Sequence, residues 1–491
     1  MNKKFKALIS IIRGYNPSAN FRLIKKAFLF AQKVHHGQKR LTSEDFINHP
    51  LKVAQFLAEW KLDSVSIAAG LLHDVVEDGG VSLDTLKKEF GQEIAFLVDG
   101  VSKVGELKLR GSEEEEFVEN LRKMIVVMAK DLRVVFIKMA DRYHNMQTLW
   151  PLPKEKQKRI AKETLEIYAP LAERMGIGEI KGRLEDLAFP YLFPKEYRWL
   201  MKYSRPYYKR ANELLLEVKK KLLKELFKEG IKAKINTRAK HFYSLYKKLL
   251  RPEINKDITK IYDLVALRIL VETVEECYTA LGVVHSVYKP VPFLGVSDFI
   301  AQPKPNGYRS IHTKVFGPEG RIFEVQIRTF QMHEEAEYGI ASHWYYGEIK
   351  EKGAKNSKLE KGVFTPSEKL SWVKQLVAWQ KEIVDSKKFL ETLKFDALAH
   401  RIFVFSPKGD VFDLPAGATP IDFAYAVHTD LGNEAVGAKV NGVMVKLNHP
   451  LKSGDMVEII RKKGTGPSRD WLDFVVTNLA KKRIEKYFRK D

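Results

Sequence analysis

Four ionisable residues crowded into LLHDVVED are the first candidates for chemistry: His73, Asp74, Glu77 and Asp78. Spaced at i, i+1, i+4 and i+5, they would share one stripe of a helix. The rest of that segment, AAGLL and VV, is apolar and reads as core. Unpartnered ionisable groups on a core helix cost on the order of several kcal/mol each. A metal ion removes that cost by neutralising carboxylates and taking imidazole lone pairs. Two other segments can complete a ligand set. His49 precedes Pro50 at the start of an apolar helix, and Asp141 lies in IKMADRYHNM with Asn145 one turn later. The donors His49, His73, Asp74 and Asp141 suit a borderline-to-hard divalent ion such as Mn²⁺. Such an ion acidifies water towards neutral pH, and Glu77 and Asp78 are placed to handle its protons. An isolated His-Asp dipeptide is most often an ordinary hydrogen-bonded pair. The spaced set is stronger, and it points to hydrolysis of a phosphate bond.

A second group of residues has the chemistry of phosphate binding. KINTRAKHFYSLYKKL gathers Arg238, Lys240, Lys247 and Lys248 around a helix start, which suits a triphosphate. IYDLVALRIL puts Asp263 and Arg268 on a strand-like run. FEVQIRT puts Glu324, Gln326 and Arg328 on one face of a strand. Asp263 and Glu324 on neighbouring strands would hold Mg²⁺, with Glu324 able to deprotonate a hydroxyl. KPNGYRSIHT offers Lys304, Asn306, Tyr308 and His312, the tyrosine as a stacking surface for a base. The alternative is plain: alternating charges on an edge strand more often face solvent.

The elements that must position these groups fall into distinct stretches. Residues 20 to about 195 read as successive helices, punctuated by Gly37, Gly79-Gly80 and Gly91 and ended near Pro190 and Pro194. A basic helix, NELLLEVKKKLLKELFKEG, leads into short β-rich runs interleaved with helices, an α+β pattern. Residues 349–369 are polar and read as a linker, followed by a helix, LSWVKQLVAWQKEIVDSKKFLETL. From Arg401 to Arg461 the pattern is a small β-rich module around one helix, PIDFAYAVHTDLG, and a helical stretch follows it.

The composition limits the function classes. The 491 residues carry a net charge of +22, and Glu196 to Lys256 alone holds eighteen Lys or Arg against six Glu. Anionic partners are favoured: nucleotides, RNA or an acidic membrane surface. Cys277 is the single cysteine, which excludes an intrachain disulfide and a thiolate zinc site and fits a reducing cytoplasm. The opening MNKKFKALISIIRGYN lacks the apolar run and cleavage site of an export signal, and no stretch has a membrane span's ~20 apolar residues.

The chain resembles the long RelA/SpoT homologues, which synthesise and hydrolyse the alarmone (p)ppGpp. HHGQKRLTSEDFINHP, LLHDVVED, ADRYHNM and ETLEIYAPLAERMGI are similar to that family's hydrolase motifs. The resemblance implies an all-α HD hydrolase domain over 1–195 and an α+β, nucleotidyltransferase-like synthetase domain over 196–348. A linker and connecting helix would span 349–396. A β-grasp-like TGS domain would span 397–463, and a further helical region would begin at 464–491. It implies that His49, His73, Asp74 and Asp141 hold Mn²⁺, that Glu77 and Asp78 serve the attacking water, and that Arg40 and Asn145 contact the nucleotide. It further implies pyrophosphate transfer from ATP to the 3′-OH of GDP or GTP. Asp263 and Glu324 would hold Mg²⁺; Arg238, Lys240 and Lys304 would contact phosphates; and Tyr308 would stack on guanine. FSPKGDVFDLPAGATPIDFAYAVHTDLG resembles a TGS domain, which in long members senses tRNA on the ribosome, with His428 at the position that contacts the tRNA 3′ end.

The chain departs from the family's pattern in three places. LTSEDF stands for KSGEPY, Asn433 stands where another histidine is frequent, and VPFLGVSDFIA lacks the charged motif before DFIAQPKPNGY, keeping only Asp298. The sequence is expected to lack the zinc-finger-like and ACT-type domains of full-length members. A cytoplasmic bifunctional enzyme is expected. The runner-up is a hydrolase with a regulatory synthetase fold. The third reading is a non-catalytic binder of tRNA or the ribosome. Opposed activities in one chain imply mutually exclusive states, with VGELKLRGSEEEEF as the candidate moving loop.

Overall fold

A computed structural model describes residues 3–103, 121, 122, 125–292, 294–304, 307–339 and 401–489. The expected linker and connecting helix over 349–396, the loop VGELKLRGSEEEEF and Asn306 lie outside the described residues. The chain divides into two compact units, 1–373 and 374–491.

The helical part of the first unit is organised around buried segments. After α1 (Lys3–Tyr15) and α2 (Phe21–Val34) come α3 (Asn48–Glu59) and α4 (Ser64–Leu72). Asp63 caps α4 by accepting the Ser66 N–H at 2.7 Å. Every residue of α4 except Val65 is buried. Gly70 permits that, because a Cβ there would lie 2.4 Å from Leu57 Cδ1. Next come α5 (Leu83–Phe90), α6 (Gln92–Lys103) and α7 (Arg133–Gln147). Arg133 ties the start of α7 to Asp63 at 3.2 Å. After α8 (Lys154–Glu163) the chain makes one π-helical turn, Thr164–Tyr168, before α9 (Ala169–Arg174) and α10 (Gly178–Leu192). Pro190 does not end the helical part. It sits inside α10, and the break falls at Phe193, after which Pro194 opens α11 (Pro194–Lys228).

The sheet that follows has the order β1-β2-β5-β4-β3. Its strands are β1 (Lys234–Ala239), β2 (Val265–Val271), β3 (Ser297–Asp298), β4 (Ile311–Phe316) and β5 (Ile322–Thr329). Only β2 and β5 are parallel, with Arg268 opposite Gln326. Three helices accompany the sheet: α12 (Phe242–Leu249), α13 (Val274–Val287) and α14 (Phe330–Tyr338). One sheet face is apolar: Leu267, Ile269, Val325 and Ile327 form a core with Leu215, Val218 and Leu222 of α11 and with Ala280 and Val284 of α13. The period of two then turns Arg268, Glu324, Gln326 and Arg328 to the opposite face. The solvent-facing alternative for β5 is overturned, because β5 is central rather than an edge strand and Arg328 is 1% exposed.

The second unit pairs β6 (Arg401–Phe405) with β7 (Val411–Pro415). A three-stranded sheet, in the order β10-β8-β9, comes from β8 (Ala435–Val440), β9 (Val443–Val445) and β10 (Val457–Arg461). The single helix expected from PIDFAYAVHTDLG is two, α15 (Pro420–Val427) and α16 (Thr429–Asn433), because His428 is extended (φ −161°, ψ 146°). Asp422 is fully buried; it caps α15 through Thr419 and accepts the Val476 and Thr477 N–H groups, which leads the chain into α17 (Asn478–Phe488). This is an all-α region, a mixed α+β region and a small β-rich module, as the sequence predicts.

Candidate functional site

The His-Asp set comes together where α3, the end of α4 and α7 meet. His49 stands in the first turn of α3, where Pro50 needs no N–H partner. The expected helical stripe is not what positions the rest. Helix α4 ends at Leu72, and residues 73–79 form turns. One helix-like bond survives, from the Asp78 N–H to the Asp74 carbonyl at 2.9 Å, and it keeps those two residues on one side. Asp141 comes from the buried middle of α7.

His49 Nε2 lies 3.4 Å from Asp74 Oδ2 and 3.3 Å from Asp141 Oδ1. His73 Nε2 lies 3.0 Å from Asp74 Oδ1 and 4.0 Å from Asp141 Oδ1. His49, His73 and Asp141 each offer a donor atom within 4.8 Å of the others, and all three are buried. Both imidazoles are set to present Nε2 as a lone pair. His73 Nδ1–H donates to the Gly70 carbonyl at 2.9 Å, and its buried Nε2 makes no hydrogen bond. His49 Nδ1 lies 2.7 Å from His144 Nδ1, which also takes the Arg40 Nη1 donor at 3.0 Å. Burial, with His49 and Arg40 nearby, pushes His144 down to about 3, so His144 is the acceptor and His49 carries its proton on Nδ1. Burial also lowers His49, which favours the neutral ring that ligates. Two lone pairs and two carboxylates converging without a shared proton fit a divalent cation.

The surroundings tune that set. Burial opposes ionisation of Asp141, but Lys138, at 3.0 Å, and the two histidines hold its carboxyl well below the usual range. Asn145 Nδ2 donates to Asp141 Oδ1 at 2.5 Å, and its Oδ1 accepts from Arg40 Nη2 at 2.7 Å. Arg40 and Asn145 therefore form one chain that ends on Asp141. Glu77 and Asp78 are exposed at the rim. Protein atoms crowding Glu77 still desolvate its carboxyl and, with Lys138 pulling the other way, push it up to about 7; Asp78 is raised by the same cause. His144 and Lys138 are participants that the sequence reading missed. Their spacing from Asp141 on α7, three residues each way, was the available signal.

The second site lies on the polar face of the five-stranded sheet. Asp263 falls in a turn two residues before β2 rather than on the strand. Lys240 Nζ is 2.6 Å from its Oδ2 and Lys248 Nζ 2.8 Å from its Oδ1. Burial disfavours the charge on Asp263, but the two ammonium groups hold it down at about 2. Two cations thus occupy both oxygens expected to face Mg²⁺. Glu324 accepts from Gln326 at 2.8 Å and lies 3.3 Å from His312 Nδ1, while His312 Nε2 is 2.9 Å from Tyr308 Oη. Lys304 Nζ sits 5.3 Å from the Tyr308 ring centre. Arg268 and Arg328 share the Glu337 carboxylate, at 3.0 and 3.1 Å, and burial lowers both guanidiniums. A cavity lined by Arg238, Tyr308, Arg328 and Glu337 is closed on one side by Gly178 and Glu179. Lys247 is drawn away from this group, to Glu185 of α10 at 2.9 Å. Asp298, kept from the charged motif, is spent on a turn: it accepts the Ile300 and Ala301 N–H groups and the Tyr278 hydroxyl, each at 2.9 Å. His428 is exposed in the second unit, its Nδ1 accepting the Asp430 N–H at 3.3 Å.

Residues 27–178 match the HD domain family, residues 237–351 the region found in RelA / SpoT proteins, and residues 402–461 the TGS domain. The chain is 46% identical over 501 residues to a GTP pyrophosphokinase of Streptomyces coelicolor, covering 100% of this chain and 58% of that protein. It is 44% identical over 492 residues to the bifunctional (p)ppGpp synthase/hydrolase RelA of Mycobacterium tuberculosis, covering 100% and 65%. It is 45% identical over 468 residues to a guanosine-3′,5′-bis(diphosphate) 3′-pyrophosphohydrolase of Aquifex aeolicus, covering 95% and 64%. The chain thus spans between 58% and 65% of the length of these curated relatives. A solved structure of a metazoan ortholog of SpoT aligns with 34% of this chain and 93% of its own, at 23% identity and a TM-score of 0.27, too low to carry an argument.

Proposed function

We propose that the chain is a RelA/SpoT-type enzyme that removes the 3′-pyrophosphate of (p)ppGpp at one site and transfers pyrophosphate from ATP to GDP or GTP at the other. The observation that carries the first half is the pair of buried histidines whose Nε2 lone pairs face Asp74 and Asp141. Mn²⁺ held there would acidify water and neutralise phosphate charge. Glu77 takes the proton of the attacking water, and Asp78 orients it. The 3′-oxygen–phosphorus bond breaks, the proton passes to the 3′-oxygen, and GDP or GTP leaves with pyrophosphate. Arg40, through Asn145, keeps Asp141 aimed while its charge faces the nucleotide.

In the second site, Asp263 and Glu324 would hold Mg²⁺, with Lys240 and Lys248 released to the triphosphate. Arg238, Lys304 and Arg328 neutralise phosphates, and Tyr308 stacks on guanine beside His312. Glu324 accepts the 3′-hydroxyl proton as that oxygen attacks the β-phosphorus of ATP and AMP leaves. Arg268, Asn306 and Gln326 complete the nucleotide-binding set; Lys247, expected in it, is held by Glu185 instead. The second unit contacts uncharged tRNA on the ribosome through His428. The protein works in the cytoplasm, within the stringent response.

One observation favours a hydrolase-only reading: Gly295 and Ser297 replace charged residues, and Asp298 is consumed by its own turn. Incubation of the His73→Ala protein with ATP and GDP or GTP under Mg²⁺ separates the two. Accumulating alarmone sustains both activities; none leaves the hydrolase alone.

A further inference from the structure

Three acidic residues of α10, the last helix of the hydrolase part, close on the segment that carries Arg238 and Lys240. Asp186 Oδ2 lies 2.8 Å from His241 Nδ1, and Glu179 Oε2 lies 3.5 Å from His241 Nε2. Asp186 Oδ1 accepts the Tyr243 N–H at 2.9 Å. Glu185 takes Lys247 at 2.9 Å and the Ser244 hydroxyl at 3.3 Å. His241 is the N-cap of α12, yet its side chain makes no capping bond. Asp186 therefore supplies from another domain the cap that the helix's own sequence lacks. The contact leaves no slack: a Cβ on Gly182 would fall 2.1 Å from His241 Cδ2. The Lys240 carbonyl is fixed in turn by the Tyr208 hydroxyl at 2.6 Å, and Lys240 reaches Asp263 at 2.6 Å.

Docking alone does not require this arrangement. Phe189 of α10 already packs on Tyr243 and Tyr246 of α12, with ring centres 5.3 and 5.1 Å apart. Desolvating carboxylates beside an apolar contact costs free energy that further packing would not. What the carboxylates add is direction: they fix the first turn of α12 and the backbone that presents Arg238 and Lys240.

We propose that Asp186, acting through His241 and the first turn of α12, is a positioning residue for the donor triphosphate in pyrophosphate transfer. The hydrolase part's last helix thereby builds a share of the synthetase site. The proposal rests on the synthetase reading above. Its test is steady-state synthesis by the full chain with ATP and acceptor varied separately, and (p)ppGpp hydrolysis on the same preparation. Asp186→Asn, which keeps an acceptor for the Tyr243 N–H but loses the charge-assisted bond to His241, is expected to raise KM for ATP about tenfold. KM for the acceptor and the hydrolysis rate should stay within twofold. Gly182→Ala, which displaces the His241 ring without touching a polar group, should move KM for ATP the same way. The proposal is overturned if both variants keep the wild-type KM for ATP, or if acceptor KM and hydrolysis deteriorate in parallel. If the wild-type chain makes no alarmone, the synthetase reading fails by itself. The clamp is then judged on affinity for a non-hydrolysable ATP analogue: a tenfold loss in Asp186→Asn sustains it, and unchanged or absent binding sinks it.

Discussion

His144 shows how one ring nitrogen decides what a neighbouring residue can do. It accepts from His49 Nδ1 at 2.7 Å and so leaves His49 Nε2 with a lone pair. His144→Phe should therefore weaken Mn²⁺ binding roughly 10–100-fold, the range for losing a hydrogen-bond partner of a metal ligand. Glu77→Gln should behave in the opposite way: Mn²⁺ affinity close to wild type, with the hydrolysis rate down roughly 10²–10⁴-fold. Calorimetric titration beside a rate assay distinguishes them, and equal loss of affinity in both would refute the division of roles. The four proposed ligands could be nominated from sequence because residue type and apolar context suffice for that, and the structure brings His49, His73 and Asp141 together. His144 and Lys138 were not, since an orienting role depends on which atom faces which neighbour.

At the level of elements, the sequence predicted the helices, strands and their order more securely than their ends. The stripe expected of His73, Asp74, Glu77 and Asp78 assumed a helix that stops at Leu72; the glycines after Asp78 give the chain a turn instead. Alternation in FEVQIRT was readable, but the central place of β5 was not, because strand order is set by long-range pairing. His241 makes the junction of α10 and α12 sensitive to pH. Burial opposes its charge, yet Asp186 and Glu179 raise it to about 9 from 6.5, and Arg183 lies beyond on Glu179. A raised histidine stabilises fully below about 6.5, and that contribution disappears as pH climbs through about 9. The His241 ring protons should titrate by NMR near 9 in the wild type and closer to 6.5 in Asp186→Asn. In the second unit, Asp422→Ala strands the Val476 and Thr477 amides and uncaps α15, at a cost of about 3 kcal/mol. Hydrogen exchange at those two amides should accelerate ahead of exchange in β8.

The first unit as a whole carries the two sites proposed for phosphate chemistry on separate scaffolds. One is built where helices converge, and the other on the polar face of a mixed sheet. The two sites share no proposed ligand, so Asp263→Asn should abolish alarmone synthesis and leave hydrolysis within twofold, measured on one preparation. Parallel loss would mean the sites are not separable. The most direct test of the account is release of pyrophosphate from ppGpp by the purified chain, followed by product analysis. With Mn²⁺, GDP and pyrophosphate should appear in equal amounts; chelation or His73→Ala should stop both. Release that persists without a divalent ion, or in His73→Ala, would contradict the metal site at its centre.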